Sequence, residues 1–390
     1  MISVAEALED VLRLVSPLDV EEVPLRDAAG RVLARDVRAL RTQPPFAASS
    51  MDGYALNRAE AEPDALFKVI GEAAAGHGFD GSVRAGQAVR IFTGAPVPDG
   101  ADMVVIQEDV TRRGNLITLG HGIDQKDNIR PAGGDFSAGD PFTAPAVLRP
   151  SDVALLAAMN VDKVPVTHKP VVAILATGDE LVQPGETPGP DQIIASNSYG
   201  LAAMCEETGA AVRLLPVARD NAASLTQAFT LARDTDLILT IGGASVGDHD
   251  LVGQVAGDLG LEQSFYKVAM RPGKPLMAGR LGDAAMIGLP GNPVSAMVCG
   301  AIFVTPVLRR MLGLEQLHTP TKTAVLADPL PANGPRAHYM RARLTDGQIR
   351  AATRQDSSLL TVLASANALL IRPPDDPARA KGDVVTYMAL

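Results

Sequence analysis

The sequence predicts a multi-domain protein of α/β plus β class, with a central parallel α/β domain, an inserted β-rich module and a β-rich C-terminal domain. Three observations carry this. After Pro170, short apolar runs alternate with helical stretches, the pattern of a parallel sheet with right-handed crossovers. Between about 46 and 135, apolar runs alternate instead with Gly-rich turns and no helical periodicity. From about 319 the text is strand-rich to its end.

The size is consistent with this division. A chain of 390 residues exceeds one ordinary core, and 46% apolar with 21% charged residues is a globular composition. A formal net charge of -10 and a pI near 5.1 argue against non-specific nucleic-acid binding. Aromatic content of 4% without Trp argues against base-stacking platforms for nucleic acid. Cys205 and Cys299 are isolated and form no metal-binding or disulfide pattern. No secretory leader or membrane span is read, so a cytoplasmic protein is expected.

Taken in order, residues 1–45 and 136–168 form one discontinuous domain. Ser3 and Glu6 make a capping box, and Val4, Leu8, Val11, Leu12 and Val15 form a helical stripe. Arg31 to Val37 reads as a strand, and Leu148 to Val161 as a helix that returns the chain to this domain. The inserted module spans 46–135. Phe67–Ile70, Val89–Phe92, Met103–Ile106 and Leu116–Leu119 are its clearest strands. It carries Asp52 in a tight Asp-Gly turn and Thr93 where a strand meets a Pro-stiffened turn. Taken singly, each is explained as well by turn chemistry as by function.

Residues 169–318 form the α/β domain. Its buried strands are Val171–Leu175, Val212–Val217, Asp236–Ile241 and Ala284–Ile287. In such sheets ligands lie at the carboxyl ends of the strands. Glu180, Asp220 and Asp250 each follow a strand, so three carboxylates are expected on one edge. The stretch Gly242-Gly-Ala-Ser-Val-Gly-Asp-His-Asp250 offers small residues and free amides to an anion. For a lone Gly-Gly pair, packing is the simpler account. With Asp248 and Asp250 beside it and Lys267, Arg271 and Lys274 following, a phosphoester site is the better one. Asn292 and Pro293 are a good N-cap and first helical residue, aimed at the same edge, with Gly291 and Ser295 beside them. Val294 to Leu308 reads as a core helix. Residues 319–390 form the β domain, with a short helix within Ser357–Asn367 and no chemistry that surpasses a structural role. Nucleotide-binding GxGxxG, GxxxxGK[ST] and zinc HExxH patterns are absent, and the six histidines are scattered.

Six segments together resemble one family. They are Ser50-Met-Asp-Gly-Tyr-Ala55, Thr93-Gly-Ala-Pro96, Thr177-Gly-Asp-Glu-Leu181, Gly242-Gly-Ala-Ser-Val-Gly247, Arg271-Pro-Gly-Lys-Pro275 and Gly288-Leu-Pro-Gly-Asn-Pro-Val-Ser295. In order and spacing they are similar to the molybdopterin molybdenumtransferases, the MoeA and gephyrin E-domain family. The resemblance implies an elongated four-part homodimer with sites shared between subunits. The first domain is then a linker and dimerisation domain, and the last a β-barrel-like one. It implies a Mg2+-dependent reaction in which adenylated molybdopterin and molybdate give molybdenum cofactor and AMP.

Residue by residue, the resemblance makes Asp52, Thr93, Glu180, Asp220, Asp250, Lys267 and Arg271 the catalytic set. Glu180, Asp220 and Asp250 would hold the metal. Gly242, Gly243, Ser245, Gly247, Lys274, Pro290, Asn292, Pro293 and Ser295 would line the pterin and oxyanion pocket. Two departures stand out: Arg271 replaces a frequent Lys, and Ile241 and Ala244 replace a Ser and a Val. Two rival functions are an adenylyltransferase, which would not need the module carrying Asp52 and Thr93, and a non-catalytic scaffold. Neither nucleic acid nor membrane is an expected partner.

Overall fold

The computed structural model describes residues 1–243 and 251–390. A six-stranded sheet organises the middle of the chain. Its order is Ala211–Leu214, Val171–Ala176, Leu237–Ile241, Ala284–Leu289, Met277–Leu281, Glu262–Tyr266. The first four strands are parallel and the last two antiparallel to their neighbours. The expected all-parallel pattern thus stops at Ala284–Leu289. Only Gly282 and Asp283 separate that strand from Met277–Leu281, and two residues can close a hairpin but not a crossover.

The central strand Leu237–Ile241 is buried at every position, as expected for a sheet covered on both faces. On one face lies the helix Pro293–Met311, with a π-helical turn at Gly300–Val304. It is long and apolar enough to span a membrane, but it is largely buried within the core, where Val294, Phe303, Val304 and Leu308 are inaccessible. On the other face the helices Ala222–Leu231 and Leu251–Asp258 pack through Leu225, Phe229 and Val255.

The N-terminal helix Val4–Arg13 corrects the sequence reading. Its capping box forms as expected, yet Ala7 and Val11 are buried in the α/β core, not in the first domain. Arg280 and Arg310 hold the end of this helix by donating to the carbonyls of Leu14 and Val15. The stripe announced an apolar partner, and the partner is the sheet-covering helix some 300 positions later in the chain. The strand expected over Arg31–Val37 is also broken, into Val32–Leu33 and Val37–Arg38, which join different sheets.

Val20–Pro24, Lys163–Thr167, Val32–Leu33 and Ala146–Val147 make a four-stranded antiparallel sheet, so segments on both sides of the insertion share it. The inserted module is a six-stranded sheet: Met103–Ile106, Gly53–Leu56, Gln87–Ile91, Leu66–Ala73, Leu116–Leu119, Val110–Arg113. Gly53 is required there, since a Cβ would stand 2.0 Å from the Val105 carbonyl oxygen. At the C-terminus, Ala337–Thr345 pairs with both Gln348–Ala351 and Ala368–Arg372. Thr321–Leu326 and Val384–Ala389 complete a closed five-stranded ring. The short strand Met270–Arg271 of the α/β region joins this barrel by pairing with Ala337–His338.

Val11→Ala is expected to lower the stability of the α/β region by about 2 kcal/mol through lost burial and a cavity. The measurement is urea unfolding of the full chain followed by hydrogen exchange at Leu237–Ile241. Unchanged protection of that strand would mean the helix is not part of this core.

Candidate functional site

Parallel strands release their following loops on one side of the sheet, and the charged candidates are on those loops. The loop after Val171–Ala176 and the loop after Ala211–Leu214 lie against each other. Thr177 bridges Ala218, and the Gly178 N–H donates to the Ala218 carbonyl at 3.1 Å. The Asp220 N–H donates to Asp179 Oδ1 at 3.4 Å, and Arg219 donates to the Asp179 carbonyl at 3.2 Å. The Glu180 carboxylate folds back over Gly178, where a Cβ would meet Glu180 Oε2 at 2.4 Å. Glu180 and Asp220 are therefore brought to neighbouring exposed loops, with Asp179 between them. Asp250, Ser245 and Gly247 lie outside the described residues. Two exposed carboxylates on rigid loops suit Mg2+, which commonly takes one or two protein carboxylates and completes its shell with phosphate oxygens and water.

The centre of the edge is backbone. Gly242 and Gly243 adopt φ of 89° and 67°. A Cβ on Gly243 would overlap Val252 at 2.1 Å, so no larger residue fits without movement. The Gly242 N–H donates to the Leu289 carbonyl at 3.1 Å, and a Cβ on Gly291 would stand 3.6 Å from the Gly242 Cα. Asn197 Nδ2 donates to the Gly291 carbonyl at 2.7 Å. Pro290 is buried in this loop and Ser295 is buried in the helix after it.

Asn292 stands at the N-cap of that helix, followed by Pro293, but its side chain makes no capping hydrogen bond. The Val294 N–H donates to the Ser357 carbonyl at 3.0 Å, so the C-terminal domain satisfies part of the helix N-terminus. That start was expected to face an oxyanion. One of its amides faces protein instead.

The basic end follows. Lys267 is half-buried with φ of 79°, its Nζ 5.3 Å from the centre of its neighbour Tyr266's ring. Its N–H donates to the Leu276 carbonyl at 2.9 Å, and the Val268 N–H donates to the Lys274 carbonyl at 3.0 Å. Lys267, Arg271 and Lys274 thus sit on one backbone-braced turn, with Arg271 and Lys274 exposed.

The structure adds two residues that sequence reasoning missed. His338 is paired opposite Arg271 across the barrel junction and is buried. Arg341 is fully buried; Nη2 donates to the Asp356 carbonyl at 3.1 Å, while Nε and Nη1 have no hydrogen-bond partner among the described residues. His338 Nε2 is likewise unpartnered. Burial, then the nearby Arg271, Arg341, Arg372 and Arg336, push the His338 imidazole down to about 4. A buried guanidinium with orphaned donors is costly unless an anion meets it. The sequence signal was weak: an Arg in a strand ordinarily means a solvated face.

Asp52 and Thr93 meet within the inserted module. The Thr93 N–H and hydroxyl both donate to Asp52 Oδ1 at 2.8 Å. These two hydrogen bonds, with Arg90 nearby, hold the Asp52 carboxyl below the ordinary range. Arg90 lies between the rings of Tyr54 and Phe92, at 5.1 and 4.6 Å from their centres, and donates to the Gly53 carbonyl. The module's bonds beyond its own span run to the adjoining segments: the Gly133 N–H to the Pro44 carbonyl, and the Asp135 N–H to the Gln43 carbonyl.

Three family models match the chain in succession. They are the MoeA N-terminal region (domain I and II) over residues 2–160, the probable molybdopterin binding domain over 173–310 and the MoeA C-terminal region (domain IV) over 323–390. The chain is 34% identical to a molybdopterin molybdenumtransferase of Nostoc sp., covering 97% of this chain and 91% of that one. Its identity to the Bacillus subtilis protein of the same name is also 34%, covering 100% and 94%. A crystal structure of the molybdopterin biosynthesis moeA protein from Pyrococcus horikoshii OT3 superposes with a TM-score of 0.85 at 28% identity, over 100% of both chains.

The buried imidazole predicts a pH effect. His338 has a folded midpoint near 4 against an ordinary 6.5. Between these values the unfolded chain takes up a proton that the folded chain refuses, so stability falls as pH drops through that window. The loss should reach about 3 kcal/mol by pH 4 relative to a His338→Gln variant, measured by urea unfolding. Sulfate at the arginines should raise the imidazole midpoint, followed by NMR. A midpoint near 6.5 without anion would contradict the burial.

Proposed function

Because the chain belongs to the MoeA family of molybdopterin molybdenumtransferases, we propose that it inserts molybdenum from molybdate into adenylated molybdopterin and releases AMP. The observation that carries this reading is the division of charge along one sheet edge. Carboxylates of Glu180 and Asp220 stand at one end, cations of Lys267, Arg271 and Lys274 at the other, with closely packed glycine backbone between. A substrate with a phosphoanhydride at one end and an oxyanion-receiving dithiolene at the other is complementary to that division.

Each group has a role in this reading. Glu180 and Asp220, with Asp250, would hold Mg2+, which supplies Lewis-acid charge at the phosphoanhydride oxygens when bound. Lys267, Arg271 and Lys274 offset the charge of molybdate at the dithiolene end. Arg341 and His338 lie behind Arg271, where the guanidinium's unpartnered donors favour an anion. Gly242, Gly243, Pro290, Asn292, Pro293 and Ser295, with Ser245 and Gly247, would shape the pterin pocket. The dithiolene sulfurs accept the metal. The chain contributes position and electrostatics, with no protein nucleophile required.

Asp52 and Thr93 belong to the same site in this reading, but supplied by a second subunit of a homodimer. Support comes from the same segment: Met51, the residue before Asp52, is 42% exposed, and Phe46 a few residues earlier is 41% exposed. Apolar side chains next to a poised carboxylate favour a protein partner, and a twofold axis would make the contact twice.

The direct test is AMP formation when molybdate is added to the enzyme with adenylated molybdopterin. Glu180→Gln or Asp220→Asn should cut its rate on the order of a hundred-fold or more, with circular dichroism unchanged. Pyrophosphate release from ATP would instead favour an adenylyltransferase. Undiminished AMP release by both variants would remove the carboxylates from the site.

Subunit sharing has its own test. Inactive Asp52→Ala and inactive Glu180→Ala proteins, once exchanged, give about half mixed dimers, each with one intact site. Roughly a quarter of wild-type activity should return. No recovery after verified exchange would place all these groups within single chains.

A further inference from the structure

Next to the acidic end lies a surface that phosphate chemistry does not explain. Leu181–Val182 and Ile193–Ile194 pair as a short parallel ladder directly after Glu180, and the Ile193 N–H donates to the Glu180 carbonyl at 2.7 Å. Ile193 is 59% and Ile194 37% exposed. The helix Asn197–Glu207 follows, and Tyr199 in its first turn is 47% exposed, while the other tyrosines are buried or half-buried. The Tyr199 hydroxyl donates to Gln183 Oε1 at 3.1 Å, which fixes the ring's outer end. Asn197 ties the same turn to the Gly291 loop. An exposed, hydrogen-bonded aromatic is thus held on the edge that carries Glu180 and Asp220, after a two-residue ladder in which the successive side chains of Ile193 and Ile194 point to opposite faces.

We propose that Tyr199 is the stacking platform for the purine base of the nucleotide half of the substrate. The inference rests on the reading that the substrate is adenylated. A nucleotide presents charge at its phosphate and a flat, weakly polar face at its base. Carboxylates with a cation serve the first; an exposed aromatic ring serves the second. Because the Tyr199 ring is already held by Gln183, little conformational freedom is lost when a base lands on it. A broad protein contact fits less well. Asp179, Glu186 and Asp191, close by in the chain, are exposed and would need partners if covered, whereas a base resting on one ring leaves them in water.

The experiment is calorimetric titration of the full chain with AMP and with ribose 5-phosphate, each with Mg2+. The wild type should bind AMP more tightly than ribose 5-phosphate. Tyr199→Ala should weaken AMP by about ten-fold and leave ribose 5-phosphate unchanged, while Tyr199→Phe retains most of the difference. In turnover the Ala variant should raise KM with kcat held. Equal AMP affinity in wild type and Tyr199→Ala overturns the platform while leaving molybdate-dependent AMP release standing. A Tyr199→Ala protein that changes only its sedimentation behaviour assigns the patch to a subunit contact and also overturns it. A wild type that neither binds AMP nor releases it takes the functional reading down together with this one.

Discussion

Parallel pairing of Val171–Ala176, Leu237–Ile241 and Ala284–Leu289 is the constraint on which the rest depends. Backbone hydrogen bonding fixes strand direction, and direction fixes the side on which each loop emerges. The antiparallel turnaround at Gly282 preserves this. Two reversals bring Glu262–Tyr266 back into line with Ala284–Leu289, so Lys267 leaves on the same edge as Gly242 and Pro290. Strand order then sorts the charge. The strands preceding Glu180 and Asp220 are at one side of the sheet, and those bordering Lys267 and Lys274 are at the other. Opposite charges are thus kept apart by the width of the intervening strands and cannot neutralise one another.

The second constraint is the junction with the barrel. Met270–Arg271 leaves the α/β sheet to pair with Ala337–His338, and the carbonyl of Ser357 takes the Val294 amide. Gln355 and Asp356 also bond to Arg341, so one short segment touches both the helix start and the buried guanidinium. The C-terminal domain is thereby fixed at the basic end through backbone bonds. Nε and Nη1 of Arg341, without a hydrogen-bond partner among the described residues, are a stability cost unless an anion meets them.

What was legible in the sequence divides along the range of the interactions. Glu180 and Asp220 could be located because a carboxylate just after a buried strand has its position set by local pairing. Asp52 and Thr93 were marked as turn residues 41 positions apart; the hydrogen bonds between them depend on how the module's strands register. His338 and Arg341 were not legible at all, because His338 pairs with Arg271, 67 positions earlier, and Arg341 lies opposite Leu369 inside the barrel, between segments with no local sign of each other. The N-terminal helix shows the same limit: a stripe reveals that a face is covered, not what covers it. Asn292 does stand at the N-cap with Pro293 after it, as read, yet its side chain makes no capping hydrogen bond. Its residue type suits a cap, but the Ser357 carbonyl already satisfies an amide of that first turn.

The Asp52 carboxyl shows what the local hydrogen bonds permit. Both Thr93 donors converge on a single oxygen, Oδ1, and favour the ionised form. A carboxyl held below its ordinary range carries no proton near neutrality and cannot act as a general acid there. The remaining roles are those of a fixed anion: accepting a hydrogen bond or meeting a cation. Arg90 does not satisfy it directly, since its guanidinium donates to the Gly53 carbonyl and to Gln107 Oε1. Oδ2 accepts no hydrogen bond among the described residues and so remains an anionic acceptor on a half-buried side chain next to the exposed Met51.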